Sequence, residues 1–343
     1  MSRGFGNRLL PALLGGLLAV LAAAADAQTQ PPPSADVFAT KCLTDDEVPA
    51  ADRSAIEAVS LGYVRAIFGS DPAAAYDSFS AAAKRSVSRE EFAARIGPMI
   101  RSLASFSDLH VTHRYRLVVT GGSGYEKALC PERAGQKADV SVSVEANATQ
   151  AYVELEAEMK DTGWAGVAWL VLEDGAWRVQ HFQIVNVARI AGKPAAAFSD
   201  MAREERRRGH DFNAYVLDIA ALQLADRGPN FELPLQGEIE KERLALPTPP
   251  EFAGKPPFLW RYAGASFSVL KVGPIAIDGK LYLVISQRVP PWKDEQEAGR
   301  RNRALADAFA RAHPDYKDAF AGLVIDASEE GGHGHFRTVV AAR

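Results

Sequence analysis

The chain has 343 residues, with 39 Lys and Arg against 43 Asp and Glu and a formal net charge of −4. A mildly acidic balance without a basic stripe argues against nucleic acid as a partner. The hydrophobic fraction of 47% is enough to bury real cores.

Arg3 and Arg8 precede the apolar run LLPALLGGLLAVLAAAA, and Ala25-Asp26-Ala27 places small residues where a signal peptidase reads. A signal peptide over residues 1–27 is expected, with cleavage before Gln28. A membrane anchor is the alternative, but the run is near the minimum spanning length and weakly hydrophobic. Removing the leader takes away two Arg and one Asp. The roughly 316 residues left carry about −5 and suggest two domains. The expected location is periplasmic or secreted, with no membrane span after leader removal. In an oxidising compartment Cys42 and Cys130 are expected to form a disulfide; two free thiols are the alternative. Nothing beside either cysteine has ligand spacing, so no metal is expected.

Residues 28–50 form a Pro-rich arm. A helix is expected from near Asp52, because Ile56, Val59, Tyr63, Val64 and Ile67 recur on one face. Asp71 and Pro72 suit the start of a second helix, and SREE at 88–91 is a capping box for a third, with Phe92, Ile96, Met99 and Ile100 inside. The period then becomes two. Leu109, Val111, His113, Tyr115, Leu117 and Val119 are expected to share a face, as are Val140, Val142 and Val144. Val153, Leu155, Ala157 and Met159 point in, with Glu154, Glu156 and Glu158 out. Such alternation marks an antiparallel sheet with one wet face. Two more strands follow across an Asp174-Gly175 turn. Residues 51–190 thus read as α+β, helices first and sheet after.

Residues 191–257 read as a helical and Pro-rich connector. The charge run REERRR (203–208) is expected to be a solvated helix face. Residues 258–343 read as a smaller α+β domain, with strands around Asp278-Gly279, a helix ending before Pro314 and two final strands. SVLK (268–271) matches S-x-x-K but lies in a strand pattern without partner motifs. GGSG (121–124) is a hairpin loop. His333 and His335 sit in a Gly-rich turn without carboxylate or cysteine support.

The first block resembles the NTF2-like superfamily, which includes SnoaL-like and ketosteroid-isomerase-like proteins. The resemblance rests on the helix AIEAVSLGYVRAIFGSDPAAAYDSFS, on helices preceding strands, and on the closing hairpin WLVLEDGAWRVQHFQI. It covers about residues 50–190 and concerns architecture rather than chemistry. It implies a bent sheet wrapped around helices, a cone with an apolar pocket. The implied lining is Tyr63, Tyr76, His113, Tyr115, Trp164, Trp169, His181 and Gln183. Each is equally natural as core, since a polar group on an apolar face must be hydrogen-bonded or costs about 1–3 kcal/mol.

An isomerase mechanism of this family's type needs a carboxylate at the pocket, and none falls in the apolar parity of these strands. The expected role is therefore non-catalytic: binding a small apolar ligand in the cone, or docking an envelope protein. The rival is an enzyme using His113 or His181 as general base. A third reading has the Pro-rich 244–258 segment dock a partner. No cofactor is implied. Homodimers are common in the family through the outer sheet face, although the Glu154, Glu156 and Glu158 row weakens that expectation. One ambiguity stays open in EDGAWRVQHFQIV. A bulge near Gln180 would turn Trp177, Val179, Phe182 and Ile184 inward and His181 and Gln183 outward; without it both polar residues line the cone. His113 is expected to sit on a strand of unbroken parity.

Overall fold

The computed structural model describes residues 39–102, 107–131, 139–159, 162–331 and 334–342. The expected leader, residues 28–38 of the arm and His333 lie outside these, as do the side chains of Met99, Ile100 and Met159. The protein mixes helix and strand around a strongly curled antiparallel sheet.

That sheet contains β1 (Ala39–Thr44), β2 (Ser107–Thr120), β5 (Thr149–Met159), β6 (Thr162–Glu173), β7 (Ala176–Ile190) and the short β8 (Lys193–Pro194), in the spatial order β1-β2-β5-β6-β7-β8. The hairpin between β6 and β7 turns on Asp174 and Gly175, both at positive φ, the conformation that such a two-residue turn requires. Four helices pack on the inner face: α1 (Ala50–Phe68), α2 (Pro72–Asp77), α3 (Ala81–Ser86) and α4 (Arg89–Ser102). Their starts follow local chemistry. The Asp71 carboxylate accepts from Ala74 N with Pro72 in the first turn, and Ser88 Oγ accepts from Glu91 N. Ile56, Val64 and Ile67 of α1 are fully buried against Val153, Leu155 and Leu170. Each such side chain contributes about 1.5–3 kcal/mol relative to exposure.

The curl comes from bulges. Val111 pairs with Leu155 but His113 with Glu154, so Thr112 is an extra residue. Leu170 pairs with Val179 but Trp169 with His181, so Gln180 is another. Each extra residue bends its strand and reverses the side-chain parity beyond it. Trp177, Val179, Phe182 and Ile184 therefore all face the helices. The expectation of unbroken parity in β2 is corrected: Leu109 and Val111 pack on the helix side, whereas Tyr115, Leu117 and Val119 join the core on the opposite face.

Gly166 makes a second aromatic layer possible. A Cβ there would lie 2.5 Å from Trp164 Cη2 and 2.9 Å from Phe182 Cζ, and these two rings stack at 6.2 Å. Gly166→Ala should destabilise by about 1–3 kcal/mol through overpacking. Urea unfolding measures this, and a loss below about 0.5 kcal/mol would show that the rings yield freely.

The outer face of the curled sheet is not simply wet, contrary to expectation. A second sheet, with the order β3-β4-β9 (Tyr125–Pro131, Asp139–Glu145, Phe231–Glu232), covers part of it. Val140, Val142, Val144 and Phe231 pack on Tyr115, Tyr152 and Trp169 there. A disulfide joins Cys42 of β1 to Cys130 of β3. Glu154, expected outside, is 6% exposed and pairs at 3.3 Å with Arg227, itself 8% exposed.

The stretch 191–257 does more than connect. Its helices α5 (Ala195–Arg207) and α6 (Asp211–Ala225) supply Phe198, Phe212, Val216 and Leu217 to the largest core, and α7 (Pro234–Leu244) adds Ile239. The rest of that core comes from a five-stranded sheet with the order β10-β11-β12-β13-β14 (Phe258–Tyr262, Ala265–Ile277, Lys280–Val289, Gly322–Glu329, His335–Ala341) and from α8 (Glu295–Ala312) and α9 (Tyr316–Ala319). β12 and β13 are parallel, joined through the two helices; the other pairs are antiparallel. Asp278-Gly279 turns the β11–β12 hairpin at positive φ. The charge run on α5 is also tied inward. Arg206 reaches the buried Asp218 at 2.6 Å, Arg203 reaches Glu242 at 2.8 Å, and the buried Glu205 bonds His210 at 3.0 Å and Asn213 at 2.7 Å.

Candidate functional site

A cavity of about 720 Å³ opens where α1–α4 meet the curved end of β7. Tyr63, Phe79, Phe92, Ile96, Phe182 and Ile184 form its apolar wall. The bulge at Gln180 is what turns Phe182 and Ile184 into it. The same bulge anchors the opposite wall: Ser80 N donates to Val179 O and Val179 N to Ser78 O, each at 2.9 Å, while Ser80 Oγ donates to Gln180 Oε1. This docks the α2–α3 link on the edge of β7 and holds Phe79 against Tyr63 and Phe92, at 5.6 and 5.0 Å between ring centroids.

The polar groups at the cavity are few. They are the Tyr63 hydroxyl, Ser86, Arg95, Gln180, His181 and Gln183. Tyr63 is 4% exposed, and burial pushes its pKa well above the ordinary tyrosine value. The phenol thus stays protonated, a hydrogen-bond donor with no partner among the described residues. Partial desolvation lowers the His181 pKa, opposed by a hydrogen bond to the Gln183 side chain, which favours the neutral imidazole. Gln183 leans on Gly228, where a Cβ would come 2.4 Å from Gln183 Cγ. A glycine at φ +90° is therefore required there on two counts.

Three of the expected lining residues, Tyr63, His181 and Gln183, border the cavity, the last two although the bulge puts them on the parity opposite to Phe182 and Ile184. Two support its wall from behind. Tyr76 packs on Phe79 and Phe92 and donates to Val87 O at 3.1 Å. Trp164 is fully buried, edge-on to Phe68 and stacked on Phe182, and its indole N–H has no partner among the described residues. The remaining three lie across the sheet, because the bulge at Thr112 reverses β2 and the pairing of Trp169 places it on the same outer side. Tyr115 packs on Phe231; Trp169 stacks on Tyr152 and donates to Gln150 Oε1 at 3.0 Å; His113 Nδ1 stands 3.2 Å from Asp45 Oδ2.

The aromatic Phe79 went unrecognised in the sequence because it falls between two short helices, outside any periodic face. No carboxylate borders the cavity among the described residues. His113 has an acidic neighbour but lies on the other face, and His181 has only an amide. The arrangement can hold an apolar body and offer it one phenolic donor; it holds no oriented acid–base pair. No group of His, Cys, Asp and Glu among the described residues could hold a metal ion, and no described helix is long and apolar enough to cross a membrane. No protein-family model matches the chain, and neither does any curated protein.

Proposed function

We propose that this protein is an exported binding protein whose N-terminal half is an NTF2-like domain holding a small apolar molecule in the cavity between α1–α4 and β7. The observation that carries the reading is the wall itself. Aromatic and aliphatic side chains surround about 720 Å³, a volume typical of ligand sites. Tyr63, kept protonated by burial, is among the few polar residues at its border. The order of helices before a curled antiparallel sheet supports the family reading, and the Cys42–Cys130 disulfide supports an oxidising compartment. The cavity surface also fits a non-catalytic role better than a general-base one, since His181 lacks a carboxylate to orient it.

The reading is tested with N-phenyl-1-naphthylamine, an apolar fluorophore of suitable size. Its emission should rise saturably on binding the full chain. Ser86→Trp, at the exposed rim, should fill the opening and weaken binding at least about tenfold, while stability changes by less than about 0.5 kcal/mol. Equal affinity in the two proteins, or no binding by either, would overturn the reading.

A further inference from the structure

Far from that cavity in sequence, three polar side chains meet within the aromatic part of the C-terminal core. Glu251 lies in a 3₁₀ turn (Pro250–Phe252), Tyr262 ends β10, and His313 caps the C-terminus of α8. His313 Nε2 is 2.9 Å from Glu251 Oε1 and 3.2 Å from the Tyr262 hydroxyl, which is itself 3.5 Å from the same carboxylate oxygen. The imidazole stacks on Phe309 at 4.8 Å and lies against Phe212 at 4.6 Å. Glu251 is fixed in turn, because the Trp260 indole donates to its carbonyl at 2.8 Å.

The protonation pattern follows from these contacts. Burial pushes the Glu251 carboxyl up, but the bond to His313 leads the opposing effects, and the net position is below the ordinary value. Glu251 is therefore ionised and can only accept, so His313 Nε2 carries a proton. His313 Nδ1 has no hydrogen-bond partner among the described residues. Glu251 and His313 both line a cavity of about 350 Å³, bounded by Pro247–Pro250 on one side and by Asp211 and Phe212 on the other. An imidazole held by a carboxylate and two rings thus lines this cavity with one ring nitrogen unbonded by the described residues.

We propose that this cavity is a second small-molecule site, one that takes a primary ammonium compound with a short apolar body. An N–H of the ammonium bonds His313 Nδ1. Asp211 and Asp315 border the cavity without an ion-pair partner among the described residues and offset the ligand's charge. No Lys or Arg lines the cavity among the described residues, so an anion gains nothing from them there. The Phe212 ring and the three prolines receive the apolar body, and the ring face adds attraction for a cation.

The test uses the full chain and n-butylammonium chloride as probe, with n-butanol as an uncharged match in shape. Amide resonances of Asp211, Phe212 and Asp315 are followed during titration. For a ligand this small, saturation in the tens of millimolar range is expected, with n-butanol at least about tenfold weaker. Glu251→Gln, which no longer fixes the imidazole proton on Nε2, should weaken n-butylammonium about tenfold. Asp211→Asn, an exposed position that leaves the cluster intact, should weaken it about threefold and serves if the first variant does not fold. Equal binding of alcohol and ammonium, no saturable shift in the unaltered protein, or an unchanged affinity in Asp211→Asn would each overturn the proposal.

Discussion

Replacing Cys42 and Cys130 together by Ala is expected to lower the free energy of unfolding by about 4–5 kcal/mol. The bridge spans 88 residues, and in the chain-entropy description a closed loop of that length restricts the unfolded chain by this amount. Its position adds a local effect. β1 is an edge strand bonded to β2 alone, and β3 is the edge of the covering sheet. The disulfide is the covalent link between the two. The variant should therefore unfold on the order of 10 °C lower, and hydrogen exchange should rise first in β1 and β3. Thermal unfolding with and without reductant measures the main effect. A loss below about 1 kcal/mol would mean that packing between Cys130 and its neighbours, including Val140 and Tyr152, already holds the two sheets without the bridge.

Arg227→Met is the second large effect, expected at about 3–5 kcal/mol near neutral pH, because it leaves the Glu154 carboxylate buried without its cation. Burial pushes the Glu154 pKa above its ordinary value of 4.5, and Arg227 is the foremost of the opposing influences, followed by His113. A carboxyl whose folded pKa is raised contributes stability that is complete below the unfolded value. That contribution is lost as pH rises through the folded value. Removing Arg227 raises the folded pKa further, so the variant should lose more stability than the parent on going from pH 4.5 to neutrality. Its deficit should shrink on acidification. Adding Glu154→Gln should restore most of the loss, since neither charge is then stranded. Denaturant unfolding across this pH range decides the matter: a deficit that does not vary with pH would show that Arg227 acts through packing and its bonds to Leu224 O and Asp226 O instead.

Much of this protein was legible residue by residue. The apolar face of α1 follows from period, the start of α2 from Asp71 and Pro72, and both hairpins from Asp-Gly pairs whose backbone takes positive φ. Of the inward set in β5, Val153, Leu155 and Ala157 lie in the core, and the pairing of the two cysteines is present. For EDGAWRVQHFQIV the residues allowed two registers, and the structure has the bulged one, with the extra residue at Gln180. The same device at Thr112 has no local signature, and it puts His113 and Tyr115 on the side of β2 opposite to Leu109 and Val111.

The candidate cavity was legible only in part for the same reason. Phe92, Ile96 and Tyr63 carry helical periodicity, while Phe79 sits in a link that becomes a wall only by docking on Val179. The helices at 195–225 looked like a connector because their partners, Trp260, Leu283 and Leu323 among them, come much later in the chain. Glu154 looked solvated because Arg227 is 73 residues away, and Glu251 and His313 are separated by 62.

What the sequence by itself determined was local: where helices start, where strands turn, and which residues alternate. These depend on backbone preference and on neighbours within a few positions. Only the tertiary structure decided which face each strand presents, which sheet covers which, and which charges are buried. A bulge exists only against a partner strand, and a buried pair only between segments that the chain brings together from far apart.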